Sequence, residues 1–180
     1  MARVRVPVCQ LGRTEVRMFA LEMVEKVRQV SPGAANALTT LAVKNIVPLA
    51  AAMGYRVEEV TDARVKATVP LNRKTKNHVG SVYLGAQVTV MELTMGVMLF
   101  RRFPPSQYKM LVNRMEVSFH AKAKSAVSAV CEPSEELLAG LASSLQSTGD
   151  KAEAWIPVQL LGTDGQRVAE ARFLAVFKRG

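Results

Sequence analysis

Asn77-His78-Val79-Gly80-Ser81-Val82-Tyr83-Leu84-Gly85-Ala86 opens the stretch that decides the fold, and it runs into an almost wholly apolar segment, Val88 to Phe100, broken by one carboxylate, Glu92. The first part reads as a glycine-bearing turn. The second reads as a helix that is apolar on every side, and such a helix belongs inside a protein. From Gly85 to Phe100 it is too short to cross a bilayer, where about 20 apolar residues are needed, so no membrane insertion is expected. A carboxylate in the middle of a buried helix is paired, neutralised or used. Glu92 is therefore the residue that the rest of the chain has to explain.

Upstream, Thr14 can cap a helix in which Val16, Phe19, Ala20, Met23, Val24 and Val27 recur at steps of three and four, with charged residues between them. Ser31-Pro32-Gly33 is read as its stop. A second helical stretch runs from Ala34 to about Met53, divided near Pro48 and ended by Gly54. Residues 1–33 thus read as a helical extension and residues 34–180 as the main domain. From Tyr55 the period changes to two: Arg56 to Val60 and Arg64 to Val69 form a hairpin turning at Thr61-Asp62-Ala63. After the apolar helix, Phe103-Pro104-Pro105 forces a turn. Alternating stretches follow at Lys109 to Ala123, Ala126 to Glu132 and Lys151 to Leu161, with a helical patch near Ser134 to Leu145. Gly162-Thr163-Asp164-Gly165 turns the chain into a last strand, Arg167 to Lys178. Two strands, one apolar helix and four strands predict an α+β domain whose antiparallel sheet wraps around the Ala86 to Phe100 helix. An open sheet edge invites pairing, so a homodimer or homotetramer is expected.

A chain of 180 residues, 49% hydrophobic and 22% charged, is long enough for one domain with a sizeable core and excludes a disordered protein. Cys9 and Cys131 fit neither a disulfide framework nor a metal-ligand spacing, which suits a reducing cytoplasm. The alternation of Val4, Val6 and Val8 with Arg3, Arg5 and Pro7 is no secretion signal. The net charge of +9 is concentrated: Ala63 to Cys131 holds eleven basic residues against Glu92 and Glu116, and the remainder balances at thirteen each. Charge alone gives only weak, salt-sensitive nucleic-acid binding. The second helix, with Ala-Ala-Asn-Ala-Leu-Thr-Thr-Leu-Ala-Val, has no basic recognition face, so no nucleic-acid partner is expected. His78 and His120, the only histidines, lack neighbouring Cys or Asp, and no metal site is predicted.

With those residues in place, the segment resembles the hotdog-fold acyl-CoA thioesterases of the phenylacetate-pathway (PaaI-like) type. In that family an asparagine precedes by six positions a His-Gly-Gly turn opening the central helix, and an acidic residue follows nine positions after the histidine. Asn77, Tyr83-Leu84-Gly85 and Glu92 fall at the same spacings. Tyr83 and Leu84 stand where the family often has His and Gly, and Glu92 where it usually has Asp. The likeness covers roughly Ile46 to Phe177. It implies a cytoplasmic, metal-independent thioester hydrolase with no cofactor other than the coenzyme A of its substrate; a non-catalytic hotdog module binding acyl thioesters is the alternative. The hydratase branch is disfavoured because neither a His-Phe-Pro-Gly turn nor a matched Asp and His pair is present.

Thioester hydrolysis needs a nucleophile or activated water and something to hold the oxyanion. Glu92 is the candidate for the first, as base or nucleophile, its basicity raised by burial among Val90, Met91, Leu93 and Met95. The plainer reading is a structural carboxylate bonded to Thr89 or a facing strand, or one aimed at a dimer interface. Gly85, at the helix start where N–H groups are unpaired, is the candidate for the second; alternatively it serves a turn needing positive φ. Asn77 can reach a carbonyl or water, or cap its own turn. Gly80 has the same two readings, with the turn foremost. Tyr83 offers a hydroxyl or a packed aromatic, and with Leu84 belongs to the substrate-binding set. Arg73, Lys74 and Lys76, with Arg101 and Arg102 at the other helix end, are candidates for holding coenzyme A phosphates. Met91, Met95 and Met98 would line an acyl tunnel.

Overall fold

The structure, a computed structural model, describes residues 24, 26–147 and 151–179. The expected helix from Thr14 to Arg28 lies mostly outside the described residues, of which 26–30 are helical. The first helix ends at Ser31 as expected, and the next begins at Pro32, two residues before the expected Ala34. The Ser31 hydroxyl accepts a hydrogen bond from the Ala34 N–H (3.4 Å), and Pro32 supplies a first-turn residue whose missing N–H has no partner to lose. Helix α1 therefore spans Pro32–Ile46, and α2, Pro48–Met53, follows after Val47. Gly54, in the left-handed region with φ 75°, caps α2, and Tyr55 leads into the first strand.

Strands β1 (Arg56–Val60) and β2 (Val65–Val69) form the hairpin. Helix α3, Leu84–Arg102, follows; then β3 (Tyr108–Phe119), β4 (Val127–Cys131), α4 (Glu135–Ser147), β5 (Lys151–Gly162) and β6 (Arg167–Arg179). The six strands make one antiparallel sheet in the order β1-β2-β4-β5-β6-β3. Helix α3 packs against β2, β4, β5 and β6. Its residues Val90, Met91, Met95, Met98 and Leu99 are wholly buried in one core with Ile156, Leu160, Phe173 and Phe177. At about 1.5–3 kcal/mol for each large apolar side chain buried, packing outweighs any helix propensity of the segment. This is the hotdog arrangement of a sheet around a central helix. Helix α4 seats Leu138, Leu141 and Leu145 on β5 and β6.

The two sheet edges differ. At β1, Thr40 of α1 accepts from the Val57 N–H (2.9 Å), and the Asn36 amide donates to the carbonyl of Glu58 (2.7 Å), the extra residue of a bulge. Arg28 donates to Val60 O at 3.3 Å. Side chains thus occupy groups that a strand would otherwise pair with. On the other side β3 pairs with β6 alone. Its register places Met115, Val117 and Phe119 opposite Phe173, Ala171 and Ala169, on the core-facing side, yet Met115 is 57% and Phe119 48% exposed. Leu111, beyond a bulge and on the opposite face, is exposed as well.

Candidate active site

The turn before α3 is built by its own polar groups. The Asn77 N–H donates to Ser81 O (2.8 Å), and the Asn77 side-chain Oδ1 accepts from the N–H groups of Val79 (3.1 Å) and Ser81 (2.9 Å). Gly80 takes φ 78°, a conformation that strains any L side chain, so the turn alone accounts for it. Asn77 is consequently a cap whose acceptor is committed, leaving its amide Nδ2 as the group free to donate. Lys76 then bridges Val82, the Tyr83 N–H donates to Thr75 O (2.7 Å), and the Val82 N–H donates to Ala123 O (2.9 Å). This short ladder delivers the chain to the head of α3.

Tyr83 is the N-cap of α3 and makes no side-chain capping bond. The first bond from the helix into its cap is Gln87 N–H to Tyr83 O (3.1 Å), and the N–H groups of Leu84, Gly85 and Ala86 find no acceptor among the described residues. Positive φ, the plainer reason for Gly85, is not found there: the positive-φ glycines are 54, 80 and 165. A Cβ at Gly85 would lie 2.6 Å from Cε1 of the Tyr83 ring, so a larger residue there requires that exposed ring to swing aside.

Two turns further along, Glu92 lies on the less buried stripe of α3 with Leu84, Gly85, Val88 and Thr89. Burial raises its carboxyl above the ordinary carboxylate range. Neither Thr89 nor a facing strand anchors it: the Thr89 hydroxyl donates to Gly85 O (2.8 Å), and no hydrogen bond or ion pair reaches Glu92 among the described residues. One turn beyond, a Cβ at Gly96 would meet no atom within 4 Å, so there is room beside the carboxylate. Met91, Met95 and Met98, the expected lining of an acyl tunnel, are fully buried in the core. On the buried side stands Tyr55, its hydroxyl buried beside that of Thr94; its acidity is suppressed first by burial and further by the charge of Glu92, with Thr94 acting the other way.

Tyr55 was not singled out by the sequence reading, nor was Gln87. Gln87 is 6% exposed; its Nε2 donates to Val82 O (2.7 Å), and its Oε1 is buried without a partner. The available signal for Gln87 was a second polar residue in an apolar helix. Arg73, Lys74 and Lys76 are exposed and form no ion pair among the described residues. Arg101 and Arg102 are differently placed: they pair with Asp62 (2.7 Å) and Glu135 at the far end of α3. Two surface grooves, of about 480 Å³ between α1 and β1 and about 400 Å³ over β1, β2, β4 and β5, both lie away from Glu92. Cys131 is buried and its thiol pushed up to about 12 by that burial, which suits packing and not nucleophilic chemistry. No helix among the described residues is long and apolar enough to cross a membrane.

Several solved structures share this fold. A Pseudomonas aeruginosa protein of unknown function, described as a probable thioesterase, is 25% identical; the match covers 80% of this chain and 95% of that one with a TM-score of 0.73. A proposed thioesterase from Shewanella oneidensis is 21% identical over 78% of this chain and 95% of its own, with a TM-score of 0.66. A P. aeruginosa thioesterase solved with a glutamine replaced by alanine is 19% identical over 81% and 94%, with a TM-score of 0.63. No curated protein matches the chain. Residues 35–176 match the model described as "Domain of unknown function (DUF4442)", which is most of the sequence, and the chain accordingly belongs to the DUF4442 family and carries a thioesterase-like hotdog fold.

Proposed function

We propose that this protein is a cytoplasmic acyl-CoA thioesterase of PaaI-like type, releasing a carboxylic acid and coenzyme A. The observation that carries the reading is Glu92: one carboxylate in an apolar helix, half-buried, raised in pKa, without a hydrogen bond or ion pair among the described residues, and one turn from the unfilled space at Gly96. A group so placed is costly to keep unless it is used. The Glu92 carboxylate takes a proton from water as the water oxygen attacks the thioester carbon. Within one chain the head of α3 lies about 12 Å along the axis from Glu92, so the developing oxyanion is held by the free N–H groups at the head of the paired copy's α3, with the Asn77 amide of that copy as a further donor. Collapse breaks the carbon–sulfur bond, and the proton leaves with the coenzyme A thiol. The acyl chain runs along α3 past Gly96.

The active form is a pair of copies joined through β3. Edge β1 is occupied by Thr40 and Asn36, while β3 offers an unpaired edge and the exposed Met115 and Phe119. Tyr83 and Leu84, 54% and 55% exposed, lie at the same boundary. One observation favours a non-catalytic binder of acyl thioesters: the Tyr83 ring lies over Gly85, the residue that would polarise the carbonyl. A panel of acyl-CoA esters of graded length, read with a thiol-capture dye, separates the two. Thiol release with a preferred chain length supports the enzyme; ligand-induced thermal stabilisation without thiol release establishes the binder.

A further inference from the structure

Of the eleven basic residues between Ala63 and Cys131, five have carboxylate partners: Arg64 with Glu59, Lys66 with Glu58, Arg101 with Asp62, Arg102 with Glu135 and Arg114 with Glu116. Those with no ion pair among the described residues are Arg73, Lys74, Lys76, Lys109, Lys122 and Lys124. Lys109 is on β3. The other five sit on two loops that are distant in sequence and adjacent in space.

The adjacency follows from the backbone. Lys76 bridges Val82 on one side, and the Val82 N–H donates to Ala123 O (2.9 Å) on the other. The segment carrying Lys76 and the one carrying Lys122 and Lys124 therefore flank Val82, about 10 Å apart at the usual strand spacing. Thr75 and Ala123 are each 1% exposed, whereas Lys74 and Lys76 on either side of the first, and Lys122 and Lys124 on either side of the second, are exposed. A Lys124 N–H to Lys122 O bond (2.9 Å) closes the second loop tightly, and Asn72 Oδ1 accepts from the Lys74 N–H (2.8 Å) in the first. Neither loop carries a carboxylate. Both lie at the head of α3, from which Glu92 is about 12 Å along the helix axis, a span that an extended pantetheine arm covers.

We infer that Lys122 and Lys124 form the second arm of a polyanion site whose first arm is Arg73, Lys74 and Lys76, and that this site takes the pyrophosphate and 3′-phosphate of the coenzyme A nucleotide. This rests on the acyl-CoA reading above and assigns residues to the end of the substrate remote from the chemistry. Ammonium groups are point charges that serve clustered phosphates from several directions. Contacts remote from the reacting carbon supply binding equally in ground and transition states, so they act on KM and leave kcat alone.

The test compares wild type, Lys122→Glu/Lys124→Glu and the neutral Lys122→Gln/Lys124→Gln pair, with Lys44→Glu on α1 as a charge control away from the loops. With acyl-CoA, the double reversal raises KM by about ten- to a hundredfold at unchanged kcat, the neutral pair raises it less, and Lys44→Glu leaves it alone. With an acyl-N-acetylcysteamine thioester, which has no phosphate, all four behave alike. Calorimetric titration with adenosine 3′,5′-bisphosphate gives a readout independent of turnover: wild type binds it in a salt-sensitive way and the double reversal does not. If no thioester is hydrolysed but this binding and its loss are seen, the hydrolase reading fails and the phosphate site stands. Unchanged KM for acyl-CoA in a folded double reversal overturns the site while leaving the hydrolase intact. So does an equal defect on both substrates, or a defect confined to acyl groups carried on an acidic carrier protein.

Discussion

Replacing Thr40 by valine tests how the β1 edge is closed. The Thr40 hydroxyl accepts from the Val57 N–H at 2.9 Å and donates to Asn36 O at 2.8 Å, and both Thr40 (8% exposed) and Val57 (3%) are buried. Valine keeps the shape and removes the acceptor, leaving a buried backbone N–H unpaired, at a cost of about 1–3 kcal/mol. The Asn36 carbonyl lies in an α-helix and has an N–H acceptor role there already, so losing the hydroxyl donor adds little. In a protein of this size, each 1 kcal/mol lowers Tm by about 2–4 °C, so Thr40→Val should melt about 2–12 °C lower. Thr40→Ser keeps the hydroxyl and gives up one methyl, about 0.8 kcal/mol, and should fall by less. Thermal unfolding followed by circular dichroism reads both. A Thr40→Val protein as stable as wild type, or more stable than Thr40→Ser, would show that the α1 side chains merely lie along β1 and do not seal it.

The raised pKa of Glu92 has a stability consequence of definite sign. Its folded-state pKa lies above its unfolded value, so the folded state holds the proton more tightly, and stability from this group is lost as pH rises through the folded pKa. Urea unfolding should therefore find Glu92→Gln at least as stable as wild type at neutral pH, with the gap closing below about pH 4; a variant clearly less stable at pH 7 would mean that the carboxylate is paired. Charge placed on the open edge, as Met115→Lys with Phe119→Lys, should convert the oligomer to a monomer by light scattering and abolish turnover while secondary structure persists. A wild-type chain that is a stable, active monomer would contradict the paired arrangement.

The element order was legible because period and punctuation agree along most of the chain: Gly54, Phe103-Pro104-Pro105 and Gly162 to Gly165 fall at observed boundaries. The break at Ser31 was legible, but the start of the next helix was set at Ala34 and not Pro32, because the residues that interrupt one helix also suit the cap and first turn of the next. Glu92 stood out because one charge in an apolar run is visible without coordinates. The remainder of the site is tertiary. Tyr55 is ordinary in sequence and becomes notable only when α2 ends where its hydroxyl is buried near the middle of α3. The closeness of Gly85 to the ring of Tyr83 two residues before it is a matter of side-chain direction that spacing does not encode. Arg101 and Arg102 looked equivalent to Arg73 and Lys74 until Asp62 and Glu135, from distant elements, were seen to pair with them. Lys122 joins Lys76 through one backbone bond between Val82 and Ala123, a contact that no local pattern announces.

The central claim is that the Glu92 carboxylate performs the hydrolysis, and the most direct measurement is kcat for Glu92→Gln on the best acyl-CoA of the graded panel, in protein shown to be folded and to bind coenzyme A as wild type does. The amide keeps the size and loses the base, so kcat should fall by about 10²- to 10⁴-fold. A folded Glu92→Gln protein with kcat within a few-fold of wild type would contradict the account.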